Sequence, residues 1–78
     1  MKSNRLDRLQ PGDKGKIEEV HGEVVIKRRL LEMGLLPGAH IEIIKRAPLG
    51  DPIEVKIKGY NLSLRGHEAS NIFVDVAS

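Results

Sequence analysis

The side chains most able to do chemistry in this chain are three histidines, His21, His40 and His67. No two of them have the i, i+3 or i+4 spacing that places two metal ligands on one helix face. Cysteine is absent, which excludes disulfides, thiolate nucleophiles and cysteine-based zinc or iron–sulfur sites. A metal site could still form between separate residues, for example His21 with Glu23, but the sequence favours surface imidazoles beside turns.

Nucleophilic and acid–base catalysis find little support in the sequence. The serines do not lie in a GxSxG turn; they are Ser3, Ser63, Ser70 and Ser78. Glu18 and Glu19 are adjacent, but neighbours on a strand point to opposite faces and cannot flank one bond. Neither common glycine-rich phosphate-binding pattern, GxxxxGKS/T or GxGxxG, occurs. The sequence therefore predicts a protein that is not an enzyme and holds no cofactor.

Nucleic-acid binding is a serious alternative, because small β-barrels often bind RNA or DNA. Such barrels usually combine a basic groove with aromatic side chains on which bases stack. This chain has a net charge of only +2, and its aromatic residues are Tyr60 and Phe73. The densest basic run, Lys27-Arg28-Arg29, fits a solvated helix near its C-terminus, where cations are favoured.

The elements that would position these groups are short strands of alternating polarity, separated by turn residues. The alternation predicts strands with one wet face; it appears at Ile41/Ile43, Ile53/Val55/Ile57, Leu62/Leu64 and Ile72/Val74/Val76. Ile17 and Val20 are three positions apart, so they would point to opposite faces of a regular strand. Their spacing predicts a bulge in the first strand or an end of it. Five such strands predict a mainly β fold that closes into a small barrel.

One stretch has helical spacing and lies between the first and second predicted strands. Ile26, Leu30 and Met33 recur at i, i+4 and i+7, which is the period of an amphipathic helix. Gly34 is well placed as the left-handed residue after the helix, and Leu35 would then contact Leu30 across the cap. A helix this short must pack on the sheet to be stable.

Turn residues divide the rest of the chain. Leu36-Pro37-Gly38-Ala39 fits a type II turn, and Lys58-Gly59-Tyr60-Asn61 suits a tight hairpin. Residues 67–71 form a possible helical turn. Residues 1–8 are polar and are expected to be loose, while residues 9–78 form a single domain.

Length and composition limit where this domain acts. A chain of 78 residues makes one thin core. The longest apolar runs, Val24-Val25-Ile26 and Ile72-Phe73-Val74, are far too short to cross a bilayer, and no signal-peptide core follows the basic N-terminus. The absence of cysteine favours a reducing compartment. We expect a soluble cytoplasmic protein.

Two motifs in the middle of the chain carry a family resemblance. The first is RRLLEMGLLPG, beginning at Arg28, and the second is APLGDP, beginning at Ala47. In this order and at this spacing, they resemble the bacterial FeoA family of ferrous iron transport, with a match from about Leu9 to Val76. The resemblance implies an SH3-like barrel. It also implies a partner, the cytoplasmic GTP-binding part of the membrane transporter FeoB, with modulation and scaffolding of the transporter both open.

Carried onto this chain, the resemblance points to the end of the helix and to the loop between the two prolines as the partner surface. The candidate residues are Arg28, Arg29, Met33, Leu36, Arg46, Pro48, Leu49, Gly50, Asp51 and Pro52. Leu49 would be the apolar anchor on a stiff loop, or would instead fold back onto the core. Asp51 would cap a turn or pair with a cation of the partner. A barrel that binds nucleic acid or a transition metal in a regulatory role is the alternative.

Overall fold

The computed structural model describes residues 3–77. Its elements follow the chain in the order β1 (Ser3–Arg5), a 3-10 turn (Leu6–Arg8), β2 (Lys14–Val20), α1 (Val24–Glu32), β3 (His40–Arg46), β4 (Ile53–Ile57), β5 (Tyr60–Leu64), α2 (Gly66–Ala69) and β6 (Ile72–Val76). The strands form one six-stranded antiparallel sheet in the order β1-β6-β2-β3-β4-β5. The mainly β fold with one longer helix is therefore confirmed, with one strand more than the sequence predicts.

The additional strand is β1, and it lies in residues 1–8, which were expected from the sequence to be loose. Ser3–Arg5 pairs antiparallel with β6, and Leu6 and Leu9 are buried in the core. The expectation of a loose segment is wrong for residues 3–8; residues 1, 2 and 78 lie outside the described chain. A strand of three polar residues has no apolar alternation, and it forms because its backbone pairs along the edge of β6.

The core consists of the inward side chains of the alternating strands and the inner side of α1. Its fully buried larger side chains are Leu6, Ile17, Leu30, Leu35, Ile43, Ile53, Val55, Ile57, Leu64, Ile72 and Val74. The predicted bulge is present, because the register between β2 and β6 shifts between Ile17 and Glu19. A second shift, between Ile43 and Lys45, interrupts the pairing of β3 with β4.

The end of α1 forms the predicted cap. Gly34 has a φ of +95°, the left-handed conformation that glycine adopts without steric cost. The Leu35 N–H donates to the Leu30 carbonyl at 3.1 Å, and the Gly34 N–H donates to Leu31 at 3.0 Å. This pair of hydrogen bonds defines a Schellman motif. Leu30 and Leu35 are both fully buried, so the cap fixes α1 to the core.

Two tight turns also follow the sequence. The Ala39 N–H donates to the Leu36 carbonyl at 3.0 Å and Gly38 has a φ of +93°, as a type II turn requires. The hairpin between β4 and β5 turns through Lys58 and Gly59, which both have positive φ. This pair of angles is typical of the two-residue hairpin turn that matches strand twist. The turn lies one residue earlier than predicted, because Tyr60 and Asn61 belong to β5.

Candidate functional site

The proline loop (residues 48–52) connects β3 to β4 and presents one apolar side chain to solvent. The Gly50 N–H donates to the Ala47 carbonyl at 2.7 Å, which closes a β-turn with Pro48 and Leu49 at its corners. The Ala47 N–H donates to the Pro52 carbonyl at 3.0 Å, closing the base of the loop. Leu49 is 97% exposed. The side chain therefore does not fold back onto the core, and the loop holds it outward in an ordered turn.

Asp51 fastens this loop to α2. Its Oδ1 accepts a hydrogen bond of 3.0 Å from the Gly66 N–H, at the first residue of the helix. A carboxylate at this position satisfies one of the backbone donors that a helix N-terminus leaves unpaired. Of the two roles that the sequence allows for Asp51, the structure contains the cap.

Arg46 takes a role that the sequence does not reveal. Its guanidinium donates to the carbonyl of Asp7 at 2.5 Å and to that of Leu9 at 2.6 Å. It also donates to the Gly50 carbonyl at 3.3 Å. The guanidinium of Arg46 is therefore engaged within the chain, because the ordered N-terminal segment brings acceptors to it. Arg46 ties this segment and the proline loop together.

Among residues 3–77, the end of α1 contributes an exposed cation, a paired cation and two apolar side chains to the predicted surface. Arg28 is exposed, whereas Arg29 lies 3.7 Å from the buried carboxylate of Glu68 in α2. Met33 is partly buried and packs on the core, and Leu36 is 39% exposed. Of the predicted residues at this end, Arg28 and Leu36 are therefore exposed. Met33 packs on the core, and Arg29 pairs with Glu68.

Helix α2 joins the two parts of the predicted surface. Its Glu68 faces Arg29 of α1, and its Gly66 is held by Asp51 of the proline loop. The sequence predicts only a possible turn at residues 67–71 and does not indicate that α2 has a part in the site. A local signal was present: Glu68 lies three residues after Arg65, and its Oε1 accepts from the Arg65 N–H at 2.9 Å. This is the glutamate half of a capping box; the other half is not made, because the arginine side chain has no acceptor.

The two aromatic side chains each have a contact within the chain. The Tyr60 hydroxyl donates to the Met33 carbonyl at 2.8 Å. The Phe73 ring lies edge to face against His21, with centroids 4.9 Å apart. Each aromatic side chain thus makes a contact within the chain.

Comparison with known proteins identifies the family. The FeoA domain model matches residues 4–76, which is nearly the whole chain. The chain belongs to the FeoA domain family. This membership also accounts for the order and spacing of the two central motifs.

A curated relative contains a FeoA domain within a much longer protein. It is the Fe(2+) transport protein A/Fe(2+) transporter FeoB fusion protein of Porphyromonas gingivalis, 42% identical over 74 residues. The match covers 95% of this FeoA domain and 9% of the relative. The chain thus spans about a tenth of the length of that protein.

Solved structures support the fold of this FeoA domain. The FeoA-like protein of Clostridium acetobutylicum is 36% identical, with a TM-score of 0.92 over 100% of this chain and 91% of that one. The Stenotrophomonas maltophilia FeoA, described as a prokaryotic SH3 domain protein, is 30% identical, with a TM-score of 0.78 over 90% of this chain and 87% of that one. The SH3-like fold is confirmed.

The Stenotrophomonas maltophilia protein is complexed with zinc, which raises the question of a metal site in this FeoA domain. Within residues 3–77, no group of three His, Cys, Asp or Glu side chains lies close enough to hold a metal ion. His21 approaches Glu19 at 2.6 Å, and not Glu23 as considered from the sequence. A single imidazole–carboxylate pair does not provide the three or four ligands of a protein zinc site.

One finding concerns the membrane. Across residues 3–77, no helix combines the length and the apolar character needed to span a bilayer.

Proposed function

We propose that this FeoA domain is an accessory domain of ferrous iron transport that binds the cytoplasmic GTP-binding part of the transporter FeoB. The observation that carries the proposal is the fusion of a FeoA domain to FeoB in a relative 42% identical to this chain. Covalent fusion holds two domains at high effective concentration, an arrangement that favours direct contact between them. The domain acts by binding, on the cytoplasmic side of the membrane, and carries out no catalysis.

The proline loop is the proposed anchor of this interaction. Leu49 is 97% exposed, and burial of a leucine side chain at an interface contributes about 1.5–3 kcal/mol. The loop is closed by hydrogen bonds from Gly50 and Ala47 and is tied to α2 through Asp51. An ordered loop loses little conformational entropy when it binds.

Arg28 supplies the accompanying charge. It is exposed, whereas Arg29 is paired with Glu68 and Arg46 is engaged by backbone carbonyls. Among the three arginines predicted for the surface, Arg28 is therefore the one best placed to attract an acidic partner. A charge at the rim of an interface mainly accelerates association.

Calorimetry with the purified FeoB cytoplasmic domain of the same organism tests the proposal. Leu49→Ala should weaken binding about tenfold while leaving the melting temperature unchanged, because the side chain makes few contacts to lose. Val25→Ala is the matched control, since Val25 is also an exposed apolar residue, 79% accessible, but lies on α1. Absence of binding by the unaltered domain, or equal binding by the Leu49→Ala variant, would contradict the assignment.

The same preparation separates modulation from scaffolding. If the domain modulates the transporter, its addition should change the rate of GTP hydrolysis by the FeoB domain, and Leu49→Ala should reduce that change. If the domain acts as a scaffold, the two proteins should bind without any change in the rate of hydrolysis.

A further inference from the structure

The outer side of α1 has two apolar residues that the core covers incompletely or not at all. Val24 is 71% exposed at the start of the helix, and Leu31, two turns further along, packs partly against the core and is partly buried. These residues are separated by seven positions, which places them on one face about 10 Å apart. Lys27 and Arg28 lie between them on the same face. We call these four residues the α1 outer face.

Within residues 3–77, the core does not cover Val24. The opposite side of α1, with Leu30, already packs on the core. Valine has a lower helix propensity than alanine, because its branched side chain loses rotamer freedom in a helix. An exposed valine therefore contributes little to folding, whereas an apolar stripe bordered by charges is typical of a surface that receives a partner.

The charges on this face disfavour a second copy of the chain as the occupant. If two copies of α1 packed antiparallel, Val24 of one copy would lie opposite Leu31 of the other. Lys27 and Arg28 of one copy would then lie opposite Lys27 and Arg28 of the other. A parallel pairing would also place Arg28 against Arg28. Like charges at such positions are destabilising, so the outer face is unsuited to pairing with itself.

The same charges fit an acidic helix. An amphipathic helix with apolar residues seven positions apart would cover Val24 and Leu31, and carboxylates midway between them would face Lys27 and Arg28. Partner helices commonly bind by placing such an apolar stripe in a groove. Here the groove beside Leu31 is lined by Val24, Lys27, Arg28 and Glu32, so that two cations and one carboxylate border its apolar floor. The groove on the other side of Leu31 contains Glu18 and Glu19 and would repel an acidic helix.

We propose that the α1 outer face docks an acidic amphipathic helix of the partner, as a second contact beside the proline loop. The proposal rests on the proposed function for the identity of that partner, but the chemistry of the face can be tested without it. A single helix face buries a small area and gives a weak contact by itself. It would act together with Leu49, because the first contact raises the effective concentration of the second.

A synthetic helical peptide tests the chemistry directly. The peptide carries leucines seven residues apart with glutamates between them, and a second peptide has lysines in place of the glutamates. In a nuclear magnetic resonance titration, the glutamate peptide should shift the amide signals of the α1 outer face, and the lysine peptide should bind at least about tenfold more weakly. Signal shifts centred elsewhere, equal binding of both peptides, or no binding of either would overturn the proposal.

A pair of neighbouring valines provides the matched control. Val24→Ser should weaken binding of the glutamate peptide about five- to tenfold, whereas Val25→Ser should change it less than about twofold. Both valines are exposed, at 71% and 79%, but successive residues lie about 100° apart around a helix. Equal losses for the two variants would show that the binding has no preference for the proposed face.

Charge reversal gives an independent test. Arg28→Glu should weaken binding of the glutamate peptide and strengthen binding of the lysine peptide. Sedimentation of the unaltered domain should show a monomer, and a dimer that Val24→Ser dissociates would identify a second copy as the occupant and overturn the proposal. With the FeoB cytoplasmic domain, loss of binding by Leu49→Ala but not by Val24→Ser would support the proposed function and reject this second contact.

Discussion

The hydroxyl of Tyr60 donates a hydrogen bond of 2.8 Å to the backbone carbonyl of Met33. Met33 is the C-cap residue of α1, and Tyr60 is the first residue of β5. The bond therefore joins the end of the helix to the hairpin between β4 and β5, across 27 residues of chain.

Removal of this hydroxyl should loosen the end of the helix. Tyr60→Phe should lower the free energy of unfolding by about 1 kcal/mol, the usual contribution of one hydrogen bond. Urea denaturation followed by circular dichroism measures the change, and the isosteric substitution leaves the packing of the ring intact. An unchanged midpoint would mean that water replaces the hydroxyl at no cost.

Gly34 should be more sensitive to substitution than Gly38, although both have positive φ. A Cβ at Gly34 would lie 3.0 Å from the Tyr60 hydroxyl, whereas a Cβ at Gly38 would meet no atom within 4 Å. Gly38→Ala should cost about 1–2 kcal/mol from backbone strain alone, and Gly34→Ala should cost more. Because the added contact involves the hydroxyl, the excess should shrink when Gly34→Ala is combined with Tyr60→Phe. Equal costs for the two glycines would contradict this account.

Arg46 should not tolerate lysine. Its guanidinium reaches the carbonyls of Asp7, Leu9 and Gly50, and a single ammonium group cannot reproduce that fork. Arg46→Lys should lower the free energy of unfolding by about 1–3 kcal/mol, with faster amide exchange in residues 3–9. Arg28→Lys, on an exposed side chain, is the control and should have almost no effect. Similar stability of the two variants would show that the three acceptors are easily rehydrated.

The cap formed by Asp51 should depend on its oxygen and not on its charge. Asp51→Ala removes the acceptor for the Gly66 N–H and should cost about 1 kcal/mol. Asp51→Asn keeps an acceptor oxygen and should retain most of that stability. Thermal melts of the two variants measure the difference. If Asp51→Asn were as damaging as Asp51→Ala, the role of the carboxylate would be electrostatic.

The fold should not require a metal ion. No cluster of three ligand side chains occurs within residues 3–77, so metal binding is not needed to complete the core. Thermal melts with and without a strong chelator should coincide. A loss of several degrees with the chelator, reversed by Fe²⁺ or Zn²⁺, would contradict the prediction.

Features determined by neighbouring residues were predictable from the sequence. The cap at Gly34 and the turn at Gly38 follow from glycine at a position that needs positive φ, and the strands follow from alternating polarity. The sequence left two alternatives for Leu49, exposed or folded onto the core. Leu49 lies in a loop between two prolines, where no alternation of polar and apolar residues indicates which way a side chain points.

Features determined by distant contacts were not predictable. Arg46 donates to Leu9, 37 residues away along the chain, and no local sequence pattern predicts a hydrogen bond between residues so far apart. The strand β1 was missed because Ser3–Arg5 has no apolar alternation and depends on β6 for its pairing. The link through α2 was missed for the same reason, since Glu68 and Arg29 come together only in the folded chain.

The pairing of β1 with β6 also determines how the domain can be attached to other proteins. Ser3 lies directly opposite Asp75, so linkers attached before β1 and after β6 leave from the same end of this strand pair. Antiparallel strands that carry the two ends can be joined by a short connection, and an exposed turn is a suitable place for new termini. A circular permutant opened between Lys58 and Gly59 would keep every strand beside its present neighbour and would release its new ends from the β4–β5 turn, next to the end of α1.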